Sequence, residues 1–438
     1  MESELDHQLD HVDADRREQA LDAWLAARPA GEDWPRSEAV NLHLHTFFSF
    51  NGENCSPTRL AVRARTAGLA VAGIVDFDVL DAVEEFQAAA RRLRLRACTG
   101  IETRVYVPEL ADRVINSPGE PGIAYHMGIG IPRRRLAPPA ASFLAGLKET
   151  AERRNRDLLQ RVNAFLQPVT LDYDRDVLPL TPNGNATERH LCSAYAHQAA
   201  TTFPAQEALA AYWSEKLATA IPVEQCPATP ALLDLIRAKT MKRGGVGYVP
   251  PDATAFPRLQ DMNAFVRAAG GIPCVAWLDG CSTGEQAMEE WLDVAMGSGV
   301  RALNIIPDRN YTPGVEDEKV AHLRAVIALA ERRQLLLAVG TEMNAPGQKF
   351  VDDFASRELS PYRALFLRHA HILYAHTMQE RYWQRGFQSN WAQATYPDIG
   401  ARMDFFAALG EAVQPEPDED RFRAAFAEAS RYRPGNNH

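Results

Sequence analysis

Short apolar runs alternate with amphipathic stretches along most of the chain, beginning near Ala39. Val40–His45, Ala70–Asp76, Arg96–Glu102 and Ile123–Ile131 have the length and composition of strands. After a long interval come Ile272–Trp277, Ala302–Pro307 and Leu335–Thr341. Strand-length runs separated by helical periodicity predict βα repeats and a mostly parallel sheet. Seven strands suit a closed or nearly closed barrel, and the apolar run Ile372–Ala375 adds a candidate edge strand. Helix signals mark the first repeat: Ser56 can cap, Pro57 suits the first helical position, and Gly68 sits just past the end.

The rhythm breaks between about residues 135 and 247. Helical periodicity covers Ser142–Leu166, Glu188–Ala199, Ala205–Leu217 and Thr229–Met241, with a proline- and asparagine-bearing turn at Leu178–Asn185. The chain therefore divides into five segments. Residues 1–37 form an acidic arm with a short helix bearing Leu21, Trp24 and Leu25, closed by Pro29 and Pro35. Residues 38–134 are the first part of the barrel, and residues 135–247 a helical insertion expected to cap its mouth. Residues 248–395 complete the barrel; residues 396–438 are a helical tail, Pro- and Asp-rich at 415–420 and frayed at 434–438.

Composition changes this picture little. The 438 residues are 46% hydrophobic and 24% charged, as in an ordinary soluble globular chain. A net charge of −10 argues against a broad polyanion-binding surface, so nucleic acid beyond nucleotides or short oligonucleotides is not expected. Six cysteines without C-x-x-C spacing read as free thiols in a reducing compartment. The acidic N-terminus has no signal-peptide core, and no apolar run reaches the length of a membrane span. A cytoplasmic location without membrane contact is expected; the oligomeric state is left open.

The chemistry lies where the apolar runs end. His43 and His45 stand two apart in an apolar-alternating strand, so both imidazoles leave the same face and can share one metal ion. The second strand ends in Asp76-Phe77-Asp78 and the third at Glu102. His126 lies within the fourth, Asp279 follows the fifth, Arg309 follows the sixth, and Glu342 follows the seventh. In α/β barrels catalytic groups collect at the carboxyl ends of strands, so these residues outline a metal cage. Competing readings stand beside it: His126 alone is more often a packed histidine than a ligand, and Asp78 is better read as a helix cap.

Taken together, His43-Leu-His45-Thr46-Phe-Phe-Ser49, Ile74-Val-Asp76-Phe-Asp78, Gly100-Ile-Glu102 and His126 resemble the PHP (polymerase and histidinol phosphatase) family of metal-dependent hydrolases. The likeness covers roughly residues 38–135 and 248–345. The insertion is similar to that of two-domain PHP phosphoesterases, with Asn155–Arg161 and Thr187–Leu191 at their Arg-rich and Gly-Arg-Pro-His segments. The resemblance implies a distorted (β/α)7 TIM-like barrel with an inserted helical subdomain. It also implies up to three metals. The first site would use His43, His45, Glu102 and Glu342, the last standing where Asp is usual. The second would share Glu102 and add His126 and a strand-five histidine, but Trp277 occupies that position unless Asp279 substitutes. The third would need histidines where Asn51, Phe77 and Asn344 stand. One or two divalent transition metals are therefore expected, Zn, Mn or Fe, and His376 is a further possible contributor.

The implied function is phosphoester hydrolysis of a small phosphorylated metabolite or nucleotide by metal-activated hydroxide, with Glu102 bridging metals. Asp76 would orient a histidine or move a proton. Candidate phosphate contacts are Arg104, Arg189, His190, Lys242, Arg243 and Arg309, with Asn344 and Gln348 as uncharged donors. Lys242 and Arg243 are favoured because Gly244 and Gly245 follow them. Two alternatives stay open: a metal-dependent hydrolase of an amide or lactone, and a binding module that kept the fold and lost turnover.

Overall fold

The structure is a computed structural model describing residues 2–28, 34–251, 254–310 and 314–431. Pro29 and residues 434–438 lie outside the described residues. Seven strands form one sheet in sequence order: β1 (Val40–Leu44), β2 (Val71–Phe77), β3 (Arg96–Tyr106), β4 (Ile123–Ile129), β5 (Ile272–Trp277), β6 (Ala302–Ile305) and β7 (Leu336–Val339). A bridge between Leu44 and Glu342 brings the two edges together, giving a nearly closed, distorted TIM-like barrel. Most strands are buried on both faces, the condition of a sheet wrapped by helices, which explains why they read as near-continuous apolar runs.

One strand breaks the parallel pattern. β4 pairs antiparallel with both β3 and β5, while the other four pairings are parallel. Only a single short 3-10 turn, Pro108–Leu110, intervenes between β3 and β4 among the described residues. Without a crossover helix the chain can only fold back beside the strand it has left. The register of the β3–β4 pairing, with Met127 opposite Glu102 and His126 opposite Thr103, sets which face each β4 residue presents.

The first helix forms as its signals predict. It spans Pro57–Thr66, the Ser56 side chain accepts from the Arg59 backbone N–H, and Gly68 follows with φ +75°. The Ile372–Ala375 run is not a strand. It lies inside the helix Arg363–Trp383, which packs on β7 and β3 and is covered on nearly every side. A helix buried all round loses its polar stripe and cannot be told from a buried strand over four residues.

The insertion has its own hydrophobic cluster, in which Leu191, Tyr195, Trp213 and Ile236 meet Val162 and Leu166. The 28-residue helix Pro138–Phe165 links it to the barrel, with Ala140 and Leu147 in the barrel core and Leu158 and Val162 in the insertion. At 1.5 Å per residue it is about 42 Å long, enough to carry the insertion past the barrel rim. The N-terminal arm forms the helix Ala14–Ala26, with Leu21 and Trp24 buried and Arg17 paired to Glu85 at 2.5 Å. Six cysteines are free, and only Cys281 is exposed. Among the described residues no helix is long and apolar enough to cross a membrane.

Candidate active site

The alternation of β1 sends His43 and His45 to one side, and β3 brings Glu102 to meet them. Glu102 Oε2 lies 3.0 Å from His43 Nε2 and 3.1 Å from His45 Nε2, and the two nitrogens are 3.3 Å apart. All three side chains are buried. Three ligand atoms around a tetrahedral ion with bonds of ~2.0–2.1 Å would be spaced ~3.3 Å apart, so the triangle has the size of one face of such a site. Among the described residues this is the one group of three or more His, Cys, Asp or Glu side chains whose ligand atoms converge.

The surrounding hydrogen bonds decide which nitrogens carry protons. Asn304 Nδ2 donates to the Ala338 carbonyl, so its Oδ1 faces His43 Nδ1 at 3.0 Å and must receive a proton from it. Ser49 Oγ gives its only proton to Asp76 Oδ1 at 2.7 Å. At 3.4 Å it can then only accept from His45 Nδ1, a long contact. Both neutral imidazoles therefore turn a bare Nε2 lone pair toward each other and toward a carboxylate oxygen. Acceptors crowded this way repel unless a proton or a cation lies between them. Without an ion the proton answer operates. Burial opposes charge on His43, but Glu102 and Glu342 raise its pKa above the usual histidine value. Burial likewise pushes the Glu102 carboxyl up, and His43 and His45 outweigh it to hold it at about 2. A divalent transition metal fits the same donor set: two Nε2 atoms and one carboxylate oxygen, each oriented by a partner behind it.

Asp76 is that kind of partner. Its carboxylate accepts from the Thr46 backbone N–H, Thr46 Oγ1 and Ser49 Oγ, at 2.6–2.7 Å, and so ties the loop after β1 to the end of β2. It points at this loop and takes no place in the triangle. Asp78 does not cap the next helix, whose N-cap is Ala82. It instead accepts from Thr103 Oγ1 at 2.5 Å and lines the adjoining cavity. Phe77 stacks on His45, with ring centroids 4.5 Å apart, and Asn51 donates to the His45 carbonyl at 2.8 Å.

Three proposed contributors to the cage lie elsewhere. His126 pairs in register with Thr103, whereas its neighbour Met127 pairs with Glu102. Alternation therefore puts His126 on the opposite face of the sheet, against the helix Leu259–Ala268, where its Nε2 meets Asn263 Oδ1 at 2.6 Å. Trp277 shares that orientation, two residues from Val275, the β5 partner of His126. Asp279 is paired with Lys319 at 2.8 Å, and His376 Nδ1 accepts from the Phe387 backbone N–H. Glu342 is intermediate. Its backbone bonds to both His43 and His45, but its carboxylate lies outside the triangle, on Arg309 Nη2 at 2.8 Å and Gln348 Nε2 at 3.3 Å.

Beside the triangle opens a cavity of about 480 Å³ between barrel and insertion. Phe77, Glu342, Arg309 and Tyr125 form its barrel wall; Arg154, Glu188, Arg237 and Lys242 come from the insertion. Counting the lining side chains gives eight cations (Arg104, Arg153, Arg154, Arg161, Arg189, Arg237, Lys242, Arg309) against five acids (Asp78, Glu120, Asp157, Glu188, Glu342). In a chain of net charge −10 this is a local reversal that favours an anion. Burial, and then the neighbouring Arg104, lower Arg154 to about 10, with Asp78 opposing. Burial pushes Glu188 up, and Lys242, Arg237 and Arg104 outweigh it to hold it at about 2. Phe256 carries Arg104 and Arg154 on its ring at 4.3 and 4.4 Å.

Of the phosphate contacts expected from sequence, Arg104, Arg189, Lys242, Arg309 and Asn344 line this cavity. His190, Arg243 and Gln348 are not among its lining residues. His190 Nδ1 instead accepts from the Thr187 backbone N–H at the start of its helix. Arg243 binds the Gly119 carbonyl, and Gln348 reaches Glu342. Sequence reasoning missed Asn304, Arg154, Arg237 and Glu188. For Asn304 a signal existed: a lone amide inside the buried strand Ala302–Ile305 needs a partner.

No family model and no curated protein matches the chain. Among solved structures it is similar to an amidohydrolase from Chromobacterium violaceum with bound sulfate and no metal. It is also similar to a candidate metal-dependent phosphoesterase from Bifidobacterium adolescentis. Each is 18% identical over 74% of this chain and 96% of the neighbour, with a TM-score of 0.49. At that level neither neighbour bears on chemistry.

Proposed function

We propose that the protein is a metal-dependent hydrolase of the PHP type, acting as a phosphoesterase on a small phosphorylated organic molecule. The observation that carries this reading is that Phe77, stacked on His45, and Glu342, bonded to the His43 and His45 backbone, both line the cavity and so join two oppositely tuned regions. The cation-seeking triangle, His43–His45–Glu102, is buried behind these two residues and does not itself line the anion-seeking cavity walled by arginines. When bound, a divalent ion would supply Lewis acidity and acidify water near neutral pH. His43, His45 and Glu102 would hold it, with Asn304 and Ser49 keeping each Nδ1 protonated so that each Nε2 remains a donor. Arg104, Arg154, Arg237 and Lys242 would bind the phosphate oxygens, and Phe50, Tyr125, Tyr248 and Phe256 would cover the organic part. The net reaction adds water across the ester P–O bond, giving phosphate and an alcohol.

An amide or lactone substrate is the second reading, favoured by the absence of a second set of converging ligands among the described residues, since one metal suffices for carbonyl chemistry. The test is a substrate screen on protein reconstituted with Zn, Mn or Fe. Turnover of phosphomonoesters or phosphodiesters, lost on chelation, is the expected result. Turnover of amides or lactones alone would replace the phosphoesterase reading, and no bound metal would leave a binding module.

A further inference from the structure

Glu342 stands where a fourth ligand belongs and does not act as one. Its backbone N–H donates to the His43 carbonyl at 2.8 Å, and its carbonyl accepts from His45 at 3.1 Å, so its position beside the two imidazoles is fixed. Glu342 and Met343 both take left-handed conformations, with φ of +69° and +58°. Two consecutive non-glycine residues in this region are strained, and such strain persists only where the surroundings over-determine the geometry. That geometry delivers the carboxylate to Arg309, whose Nη2 lies 2.8 Å from Oε2. Arg309 also lines the cavity and lies within electrostatic reach of Glu102 and Tyr125. The guanidinium thus sits on the cavity side of the triangle, where cation and substrate would meet.

Among the described residues no second set of ligands converges: β4 and β5 turn His126 and Trp277 to the other face, and Asp279 is held by Lys319. We propose that Arg309 is the second cation of this site: its guanidinium, anchored by Glu342, takes the place of a second metal ion, so that the centre works with one metal and one fixed organic cation. A guanidinium stays charged at any working pH and presents a fork of N–H donors to a tetrahedral oxyanion. It would bind the substrate's phosphoryl oxygens opposite the metal and steady the charge that builds on them during attack. The inference rests on the metal-dependent reading above.

The test is equilibrium dialysis of the full chain with Zn²⁺ or Mn²⁺, with elemental analysis, on wild type, Arg309→Met and Arg309→Lys. Binding of inorganic phosphate to each metal-loaded protein is measured alongside. Wild type should saturate at one equivalent. Arg309→Met, losing a like charge and releasing Glu342, should bind the ion at least ~5-fold more tightly or admit a second equivalent, and should bind phosphate at least ~10-fold more weakly. Arg309→Lys keeps the charge and should keep the wild-type metal affinity, which separates charge from packing. Two equivalents in wild type, or unchanged metal and phosphate affinities in Arg309→Met, would overturn the proposal while leaving the metal-dependent reading intact. No bound ion in wild type would overturn both.

Discussion

His43 and His126 are imidazoles of equal burial on the same barrel, and they do opposite things. His43 faces a carboxylate and a second imidazole across the interior, and Glu102 raises its pKa. His126 faces Asn263 beneath a helix, with no partner found for its Nδ1, and burial drops it to about 4. The difference is one of strand parity. β1 runs parallel to β2 with both histidines on the interior side, whereas β4 is reversed and presents Met127 inward in place of His126. A histidine in a buried strand becomes a ligand or a core residue by a one-residue choice of face. Each prediction below tests whether that choice has the consequences drawn from it.

The largest effect separates the two histidines by metal content. His45→Ala should remove the bound ion, weakening binding more than ~100-fold, beyond the 10–100-fold typical of losing an orienting partner. His126→Gln should leave the stoichiometry of wild type. Elemental analysis after reconstitution reads both, and a loss of metal in His126→Gln would return that residue to the site.

Next is acid stability, where the two histidines carry opposite signs. His126 has a folded pKa of about 4, below the usual 6.5, so the folded state holds fewer protons than the unfolded chain in between. Its contribution is complete above pH 6.5 and lost as pH falls toward 4, a penalty of about 3 kcal/mol at the acid end. The raised pKa of His43 works the other way in the metal-free protein: its stabilisation is complete below pH 6.5 and lost as pH rises through the folded value. Denaturant melts at pH 4.5 and 7.5 should therefore show a shallower acid loss for His126→Gln than for wild type. In the same terms, metal uptake at neutral pH should release a proton, since the ion replaces the one shared by His43 and Glu102. Titration calorimetry in buffers of different ionisation enthalpy would detect it.

Much of this was legible beforehand, and the misses share a cause. The His43/His45 pair and Glu102 could be found because the evidence is local: a period of two inside one strand, and an acid ending another. The seven strands emerged for the same reason. What escaped depends on long-range pairing. The reversal of β4 and its register against β3 belong to that pairing, and the register decided the fate of His126. The Ile372–Ala375 run looked like a strand because the helix around it is covered on all sides. Asn304 signalled only that a buried amide needs a partner, and which partner could not be read because His43 is 261 positions away. A substitution tests its role: Asn304→Ala should weaken metal binding by ~10-fold without changing stoichiometry, as expected for a group that fixes a ligand's tautomer. Unchanged affinity would mean that packing alone orients His43.

The smallest effect asks whether a basic pair acts as a pair. Lys242 and Arg243 are adjacent and looked equivalent in the sequence, with two glycines after them. The fold separates them: Lys242 turns to Glu188 at 2.7 Å on the cavity wall, and Arg243 reaches across to the Gly119 carbonyl at 3.2 Å. Lys242→Ala removes one of the cations around Glu188, but Arg237 and Arg104 remain, so the cavity stays positive and KM for an anionic substrate should rise only ~3–10-fold. Arg243→Ala should leave KM unchanged within experimental error, because the guanidinium it removes is bound to the Gly119 carbonyl and is not among the residues lining the cavity. Steady-state kinetics on the two single variants decide the matter. An equal rise in both would mean that the anion binds at the exit of the insertion, outside the cavity, and the arginine wall would lose its assigned role.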